Sequence, residues 1–326
     1  MNELYPLKFK PALKDRIWGG DKLKTVFGKN GKCITCGESW EISAVEGDIS
    51  VVENGFLKNN NLQELIEIYM GDLVGDKIYD TFGLEFPLLI KFIDANDDLS
   101  IQVHPDDKLA LQRHNSFGKT EMWYVMDTNP GASLISGFTK QTNKEEYIQS
   151  VESNTLAQLL NSTVVAHGDV FFIPSGRIHA IGAGILLAEI QQTSDITYRI
   201  FDWNRVDSAG KPRELHTELA VEAIDYNYYS DIKTSYTDQV NSVVNLAKCK
   251  YFTTNKILFD KQVHRDYIDL DSFVLYICCE GKFELEYRDN VKMEVLKGET
   301  ILLPAVFKNI NLIPHGKTEL LEVYVD

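Results

Sequence analysis

Two stretches of this chain spell the same local program. His167-Gly168-Asp-Val-Phe-Phe-Ile-Pro174 and Lys297-Gly298-Glu-Thr-Ile-Leu-Leu-Pro304 share a glycine, an acid, an apolar run and a proline at the same offsets. In each, a glycine tolerant of positive φ opens a tight turn, the apolar run reads as a buried strand, and proline, which cannot donate to a ladder, ends it. A strand-turn-strand pattern precedes each copy, from Met122 to Ser136 and from Phe273 to Tyr287 around Gly281. A chain carrying two such copies is constrained to two antiparallel units, and the repeat predicts two jelly rolls.

The remaining pattern agrees with a mainly β fold. Short strands are predicted at 88–93, 121–126, 170–173 and 184–190, separated by turn signals. Helices are inserted between them. Asn61-Leu-Gln-Glu64 reads as a capping box ahead of Leu65, Ile66 and Tyr69, and Thr142-Asn-Lys-Glu145 as another ahead of Tyr147, Ile148 and Val151. A third helix is predicted over 218–224. The polar, aperiodic stretch 231–245 marks a domain junction, dividing the chain into a unit at 1–235 with helical insertions and a C-terminal β unit at 236–326.

Gln102-Val-His104 supplies the first chemistry. Alternate residues of a strand share a face, so Gln102 and His104 can converge on one ion while Val103 turns away. Glu121 and His179 complete a set of two histidines, a carboxylate and an amide oxygen, which suits a divalent cation with room left for substrate. The spacing from Gly168 through Pro174 and Gly176 to His179 is similar to the second metal-binding motif of the cupin superfamily. In the second copy the position matching His179 is Asn309, and no Gln-x-His precedes it. Metal is therefore expected only in the first of two cupin-type units, the second being structural.

Charge narrows the partners. The formal net charge of −15 repels nucleic acid and anionic membrane alike. A small anionic substrate would need a local basic cluster, for which Lys119, Arg177, Arg199 and Arg205 are available. No apolar run reaches membrane-spanning length, and Met1-Asn-Glu-Leu-Tyr-Pro6 lacks the order of a secretory signal, so a cytoplasmic location is expected. Five cysteines form no disulfide framework. Cys33-x-x-Cys36 admits a structural-metal or redox role, whereas Cys278 and Cys279 read as core filling.

With these residues assembled, the chain resembles the type I mannose-6-phosphate isomerases, in particular their short bacterial form. The carriers are Ile17-Trp18-Gly19-Gly20, Gly37-Glu-Ser-Trp40-Glu41, Leu99-Ser100-Ile-Gln102-Val-His104-Pro-Asp106, Gly118-Lys119-Thr-Glu121, Ile173-Pro-Ser-Gly-Arg-Ile-His179 and Ser194-Asp195-Ile-Thr-Tyr-Arg199. The resemblance implies a zinc-dependent interconversion of mannose 6-phosphate and fructose 6-phosphate, with other divalent metals possible and the protein a monomer or homodimer. Gln102, His104, Glu121 and His179 would be the zinc ligands. The family's active-site arginine falls on Arg199 and a second pocket cation on Arg205, while Lys119, Ser100 and Glu189 match pocket positions. One departure is Ile181, where longer members carry tyrosine.

The implied chemistry is proton transfer between C2 and C1 through a cis-enediol. A metal would stabilise the negative charge as a Lewis acid, and with neutral Gln and His ligands it would keep a net charge near +1. Arg199 is expected to stabilise the enediolate, Arg205 and Lys119 to bind phosphate, Glu189 to be a candidate proton-transfer base, and Trp18 to stack on the sugar. Competing readings are a cupin isomerase or epimerase for another phosphosugar, an Fe(II) cupin oxygenase, and a non-catalytic sugar-binding regulator. The oxygenase needs no cationic cluster, and the complete ligand set argues against the regulator.

Overall fold

The computed structural model describes residues 3–206 and 210–326. It contains two antiparallel jelly rolls, each made of two sheets packed around side chains that alternate inward and outward. The first combines a six-stranded sheet, whose central strands are Glu121–Thr128, Ile185–Gln192 and Leu88–Ala95, with a five-stranded sheet that holds Ile101–Val103, His179–Ile181 and Ser133–Phe138. The second combines a seven-stranded sheet, including Thr253–Phe259, Thr318–Tyr324, Val274–Glu280 and Thr300–Leu303, with a four-stranded one.

The strands Leu88–Ala95 and Ile185–Gln192 are buried along their whole length because both faces are covered. Their outer face, with Ile90, Phe92, Ala188 and Ile190, belongs to the large apolar cluster shared with the second roll. Their inner face places Ile93 and Leu187 in the smaller core of the first roll with Trp123 and Phe171. Lys91 and Glu189 are charged residues on that inner face, directly paired in the ladder.

The sequence repeat is a repeat of structure. Gly168 (φ +86°) and Gly298 (φ +80°) open equivalent turns. In the first roll Phe171 pairs with Trp123, Trp123 with Glu189, and Glu189 with Lys91. In the second, Ile301 pairs with Tyr276, Tyr276 with Glu322, and Glu322 with Asn255, the same path in the same register. Within that correspondence Glu121, which faces Ile173, becomes Val274, which faces Leu303. Gln102, which faces His179, becomes Asp266, which faces Asn309. A hydrophobe thus stands where the first roll has the expected carboxylate ligand, and among the described residues the second roll does not repeat the candidate set.

The two rolls interlock. Leu7–Lys10, near the chain start, pairs with Thr300–Leu303 and extends the second roll's sheet, with Val51–Val52 beyond it. Across the junction Tyr124 donates to Glu319 Oε1 at 2.5 Å, and Lys256 Nζ lies 3.1 Å from Glu319 Oε2. The stretch 231–239 contains no strand or helix, and it lies against the first roll through Lys233 to Asp169 (2.6 Å) and Tyr236 to the Gly168 carbonyl (2.6 Å).

Helices decorate the outside. Leu62–Tyr69 begins with the expected capping box of Asn61 and Glu64. Lys144–Glu152 starts one residue later than expected. Asn143 caps it by accepting from Glu146 N, and Thr142 instead donates to the Glu146 side chain. The third helix is Thr217–Ala223. Among the described residues no helix is long and apolar enough to cross a membrane.

Candidate metal centre and cleft

The strand Ile101–Val103 runs between His179–Ile181 and Tyr198–Phe201, and Gln102 pairs with His179 on one side and Arg199 on the other. Lateral pairing and alternation therefore bring Gln102, His179 and Arg199 to one side of a single sheet. The facing sheet contributes Glu121 from the first position of its strand. His104 Nε2 and His179 Nε2 each lie 3.5 Å from a Glu121 oxygen, and one ligand atom from each of His104, Glu121 and His179 fits within 4.8 Å of the others.

Hydrogen bonds fix both imidazoles. His104 Nδ1 meets the Ile196 carbonyl at 2.9 Å, and His179 Nδ1 meets the Arg177 carbonyl at 2.8 Å. A carbonyl only accepts, so each Nδ1 carries the proton and each Nε2 turns a lone pair inward. Burial, followed by the charge of Lys119 and the neighbouring His179, holds His104 well below ordinary histidine basicity. Burial likewise brings His179 down to about 4, so both rings are neutral, as metal ligation requires.

The centre fits a cation. His104 Nε2 and Glu121 Oε1 are fully buried with no hydrogen-bond partner, and Glu121 Oε2 is met by the Lys119 ammonium at 3.3 Å. Orphaned acceptors of this kind cost free energy unless something electropositive meets them. Burial, reinforced by the charge of Glu189, pushes Glu121 up to about 7 against the opposing Lys119 and Lys91. A cation in the centre would keep that carboxylate ionised. The Gln102 amide lies 3.2 Å from His179 Nε2, and half a turn of the amide aims its oxygen at the same point.

Above this centre opens a cleft of about 660 Å³, to which Gln102 contributes. Trp18, Ser100, Lys119, Glu189 and Arg199 all line it, together with Ile181. Arg205 does not line it; its guanidinium is tied to Asp202 at 2.6 Å and approaches Asp97 at 3.5 Å. Three cations that the sequence did not single out do line it: Lys14, Arg16 and Arg213, with Lys91 as a fourth at the inner wall. Six cations stand against five carboxylates there, Asp15, Glu38, Asp48, Glu189 and Asp195, so the lining has a slight positive excess in a chain of net charge −15.

Similarity searching finds relatives of the same kind. Residues 6–157 match the family model described as phosphomannose isomerase type I, catalytic domain. A mannose-6-phosphate isomerase of Streptococcus mutans is 34% identical over 305 residues, covering 93% of this chain and 94% of that protein. The chain belongs to the type I mannose-6-phosphate isomerases. Mannose-6-phosphate isomerase ManA of Bacillus subtilis is 41% identical over 257 residues, covering 77% of this chain and 78% of its own length. The crystal structure of the mannose 6-phosphate isomerase from Bacillus subtilis superposes with a TM-score of 0.87 at 32% identity, covering 98% of this chain and 99% of that one.

In this isomerase Glu189 stands in close company. Its Oε1 accepts from Lys91 Nζ and its Oε2 from Trp123 Nε1, both at 2.9 Å. Burial alone would raise its pKa, but Lys91 and Lys119 overcome that and hold it at about 2. Lys91 also donates to Gln191 Oε1 at 2.7 Å, so its ammonium is fixed from two sides. A lysine inside the apolar run Leu88-Leu-Ile-Lys91-Phe-Ile93 was the sequence signal for this pair.

Trp18 and Trp40 are both almost fully buried at the cleft wall. Lys14 Nζ and Lys91 Nζ lie 4.7 and 5.4 Å from the Trp40 ring centroid, and the indole NH donates to Glu38 at 2.7 Å. Trp40 is thus held by cation-π contact and a hydrogen bond. Cys33 and Cys36 are paired with Cα atoms 5.4 Å apart. Cys278 and Cys279 are buried free thiols.

Proposed function

We propose that this isomerase interconverts mannose 6-phosphate and fructose 6-phosphate, with zinc held by Gln102, His104, Glu121 and His179. The observation that carries the reading is one juxtaposition: a buried His-Glu-His set, whose inward-facing His104 Nε2 and Glu121 Oε1 lack hydrogen-bond partners, adjoins a cleft lined by six cations in an acidic protein. Bound there, zinc supplies a Lewis acid for the carbonyl and hydroxyl oxygens of the sugar.

The protein's own groups do the rest. Lys119 Nζ, 3.3 Å from Glu121 Oε2, reaches the edge of the ligand set and can donate to a sugar oxygen there. Arg199, one ladder position from Gln102, presents a permanently charged fork to the enediolate oxygens. Ser100 lines the same wall and offers a hydroxyl. Glu189 is ionised, but both its oxygens are engaged and its pKa is low, which makes it a weak base. Its part in this reading is to hold Lys91 and Trp123, with proton transfer possible only after one of those bonds is exchanged.

Ile93, Leu99 and Ile181 form the apolar side of the cleft and keep water from the intermediate. The substrate is a phosphorylated hexose, and the enzyme works in the cytoplasm. A coupled assay for fructose 6-phosphate formation tests the assignment directly. Turnover of another hexose phosphate with a higher kcat/KM than mannose 6-phosphate would move the specificity and keep the chemistry.

A further inference from the structure

One carboxylate joins the second jelly roll to the segment that leads into Glu121. Asp107 opens the helix Asp107–His114. Its Oδ1 accepts from Gly118 N at 3.1 Å and from Gln192 Nε2 at 2.9 Å. Its Oδ2 accepts from the Tyr251 hydroxyl and, at 3.0 Å, from Lys250 Nζ. Lys250 and Tyr251 lie in the turn between Ser242–Lys248 and Thr253–Phe259, paired strands of the second roll's larger sheet. Burial would raise the Asp107 carboxyl, but its bonds from Tyr251, Gln192 and Lys250 hold it below the ordinary aspartate value.

The stretch 117–120 has no helix or strand of its own, so its shape is imposed by the partners of its backbone groups. Three consecutive amides have three different acceptors. Gly118 N donates to Asp107, Lys119 N to the Pro105 carbonyl at 3.1 Å, and Thr120 N to Gln192 Oε1 at 2.8 Å. Gln192 N donates back to the Thr120 carbonyl at 3.2 Å. Gly118 approaches the helix start so closely that a Cβ there would stand 2.5 Å from Asp107 N.

This stretch bears on all the candidate ligands of the His-Glu-His set. Lys119 lies within it, and Glu121 is the next residue after it. Thr120 Oγ1 accepts from Ser175 N at 3.3 Å, and Gly176 N donates to the His104 carbonyl at 2.9 Å, so the turn before His179 is tied both to Thr120 and to His104. Asp107 does not line the cleft, and its influence on the chemistry there passes through these bonds. Misplacing a reacting group by about 1 Å costs about 10²-fold in rate.

We propose that Asp107 is a positioning residue through which the second jelly roll, by way of Tyr251 and Lys250, holds the segment 118–121 and with it Lys119 and Glu121 in their working places. The inference rests on the isomerase reading for the roles of Lys119 and Glu121. It gives the second roll a part in catalysis without a ligand of its own.

The test compares wild type with Asp107→Ala, Asp107→Asn, the double variant Tyr251→Phe with Lys250→Ala, and Glu322→Gln, which perturbs the second roll's interior away from this bridge. Steady-state kinetics on mannose 6-phosphate, zinc affinity by competition with a chelator, and hydrogen exchange of the peptide covering 117–121 are read on each, with a thermal melt to show folding. Removing an outer partner of a ligand segment predicts a fall of about tenfold to a hundredfold in kcat and in zinc affinity for Asp107→Ala, with KM changed less and exchange protection at Gly118 and Thr120 lost. Asp107→Asn keeps an oxygen for Gly118 and Gln192 but removes the acceptor that Tyr251 and Lys250 use. It and the double variant move the same readouts the same way by about fivefold, the worth of about one hydrogen bond. Should Asp107→Ala not fold, these two variants carry the test.

Unchanged kcat, zinc affinity and exchange in folded Asp107 variants overturn the inference while the isomerase reading stands. So does a double variant that behaves as wild type, since the second roll then has no hold on the segment. Equal losses in Glu322→Gln overturn it as well, because the effect would be general loosening of the second roll. A wild type that does not turn over mannose 6-phosphate overturns the isomerase reading instead, and zinc affinity and exchange then still decide whether Asp107 positions the segment.

Discussion

Glu189 and Glu322 occupy the same place in the two jelly rolls. Each is a buried carboxylate paired in register with an aromatic residue on one neighbouring strand, Trp123 or Tyr276, and with a polar residue on the other, Lys91 or Asn255. Their chemistry has diverged. Glu322 accepts two bonds from Arg265 (2.8 and 3.0 Å), one from Asn255 (2.9 Å) and one from Tyr267, filling the second roll's interior with a saturated polar network. Glu189 is held by Lys91 and Trp123 and lines an open cleft. One repeated position serves as an internal strut in one roll and as part of the cleft wall in the other.

That divergence predicts opposite phenotypes for the same substitution. Glu322→Gln leaves Arg265 without its counter-charge in a mostly buried site, which should cost on the order of 3 kcal/mol in a denaturant titration, with kcat per folded enzyme retained. Glu189→Gln should lower kcat by about a hundredfold, with KM changed less, because Lys91 loses its fixed partner. Equal stability losses with full activity in both would show that Glu189 is a strut as well.

Arg199→Ala should lower kcat by about 10²-fold or more if its guanidinium stabilises developing negative charge. Steady-state kinetics separates the alternatives, since a raised KM at unchanged kcat would assign Arg199 to ground-state binding alone.

Acid stability should report the clamp in which buried Asp202 accepts from Arg205 Nη2 at 2.6 Å and from Arg213 Nε at 2.7 Å. Burial alone would raise this carboxyl, but Arg213 and Arg205 hold it below the ordinary aspartate value. A depressed folded pKa contributes stability that is present above about pH 4, the unfolded value, and is lost as pH falls through the folded one. Asp202→Asn should therefore be less stable than wild type at pH 6, and its stability should fall less steeply below about pH 4. Parallel curves for the two proteins would remove Asp202 from the acid transition.

Much of this architecture was legible because it rests on short-range rules. The strand Val170–Ile173 follows from glycine, an apolar run and proline, and the capping box at Asn61 follows from local hydrogen bonding. The expectation that Gln102 and His104 share a face needs only strand alternation. The helix Asp107–His114 was missed because it is mostly polar, with Ala110 its only buried residue. Its signal was the Asp106 cap, which accepts from Leu109 N. Arg213 could not be read at all, since its place in the cleft depends on its bond to Asp202 and on the bond from Arg199 Nη1 to the neighbouring Glu214 carbonyl (3.0 Å), contacts between residues far outside one helical or strand period. The extension of the second roll's sheet by Leu7–Lys10 is likewise a pairing between chain ends that no local pattern announces.

The most direct measurement is mannose 6-phosphate isomerase activity on purified protein before and after removal of bound metal by a chelator, with zinc then added back, alongside metal content by mass spectrometry. The account predicts one metal per chain, loss of activity with the metal, restoration by zinc, and neither metal nor activity in a folded His179→Ala variant. Full activity in protein shown to be metal-free would contradict it.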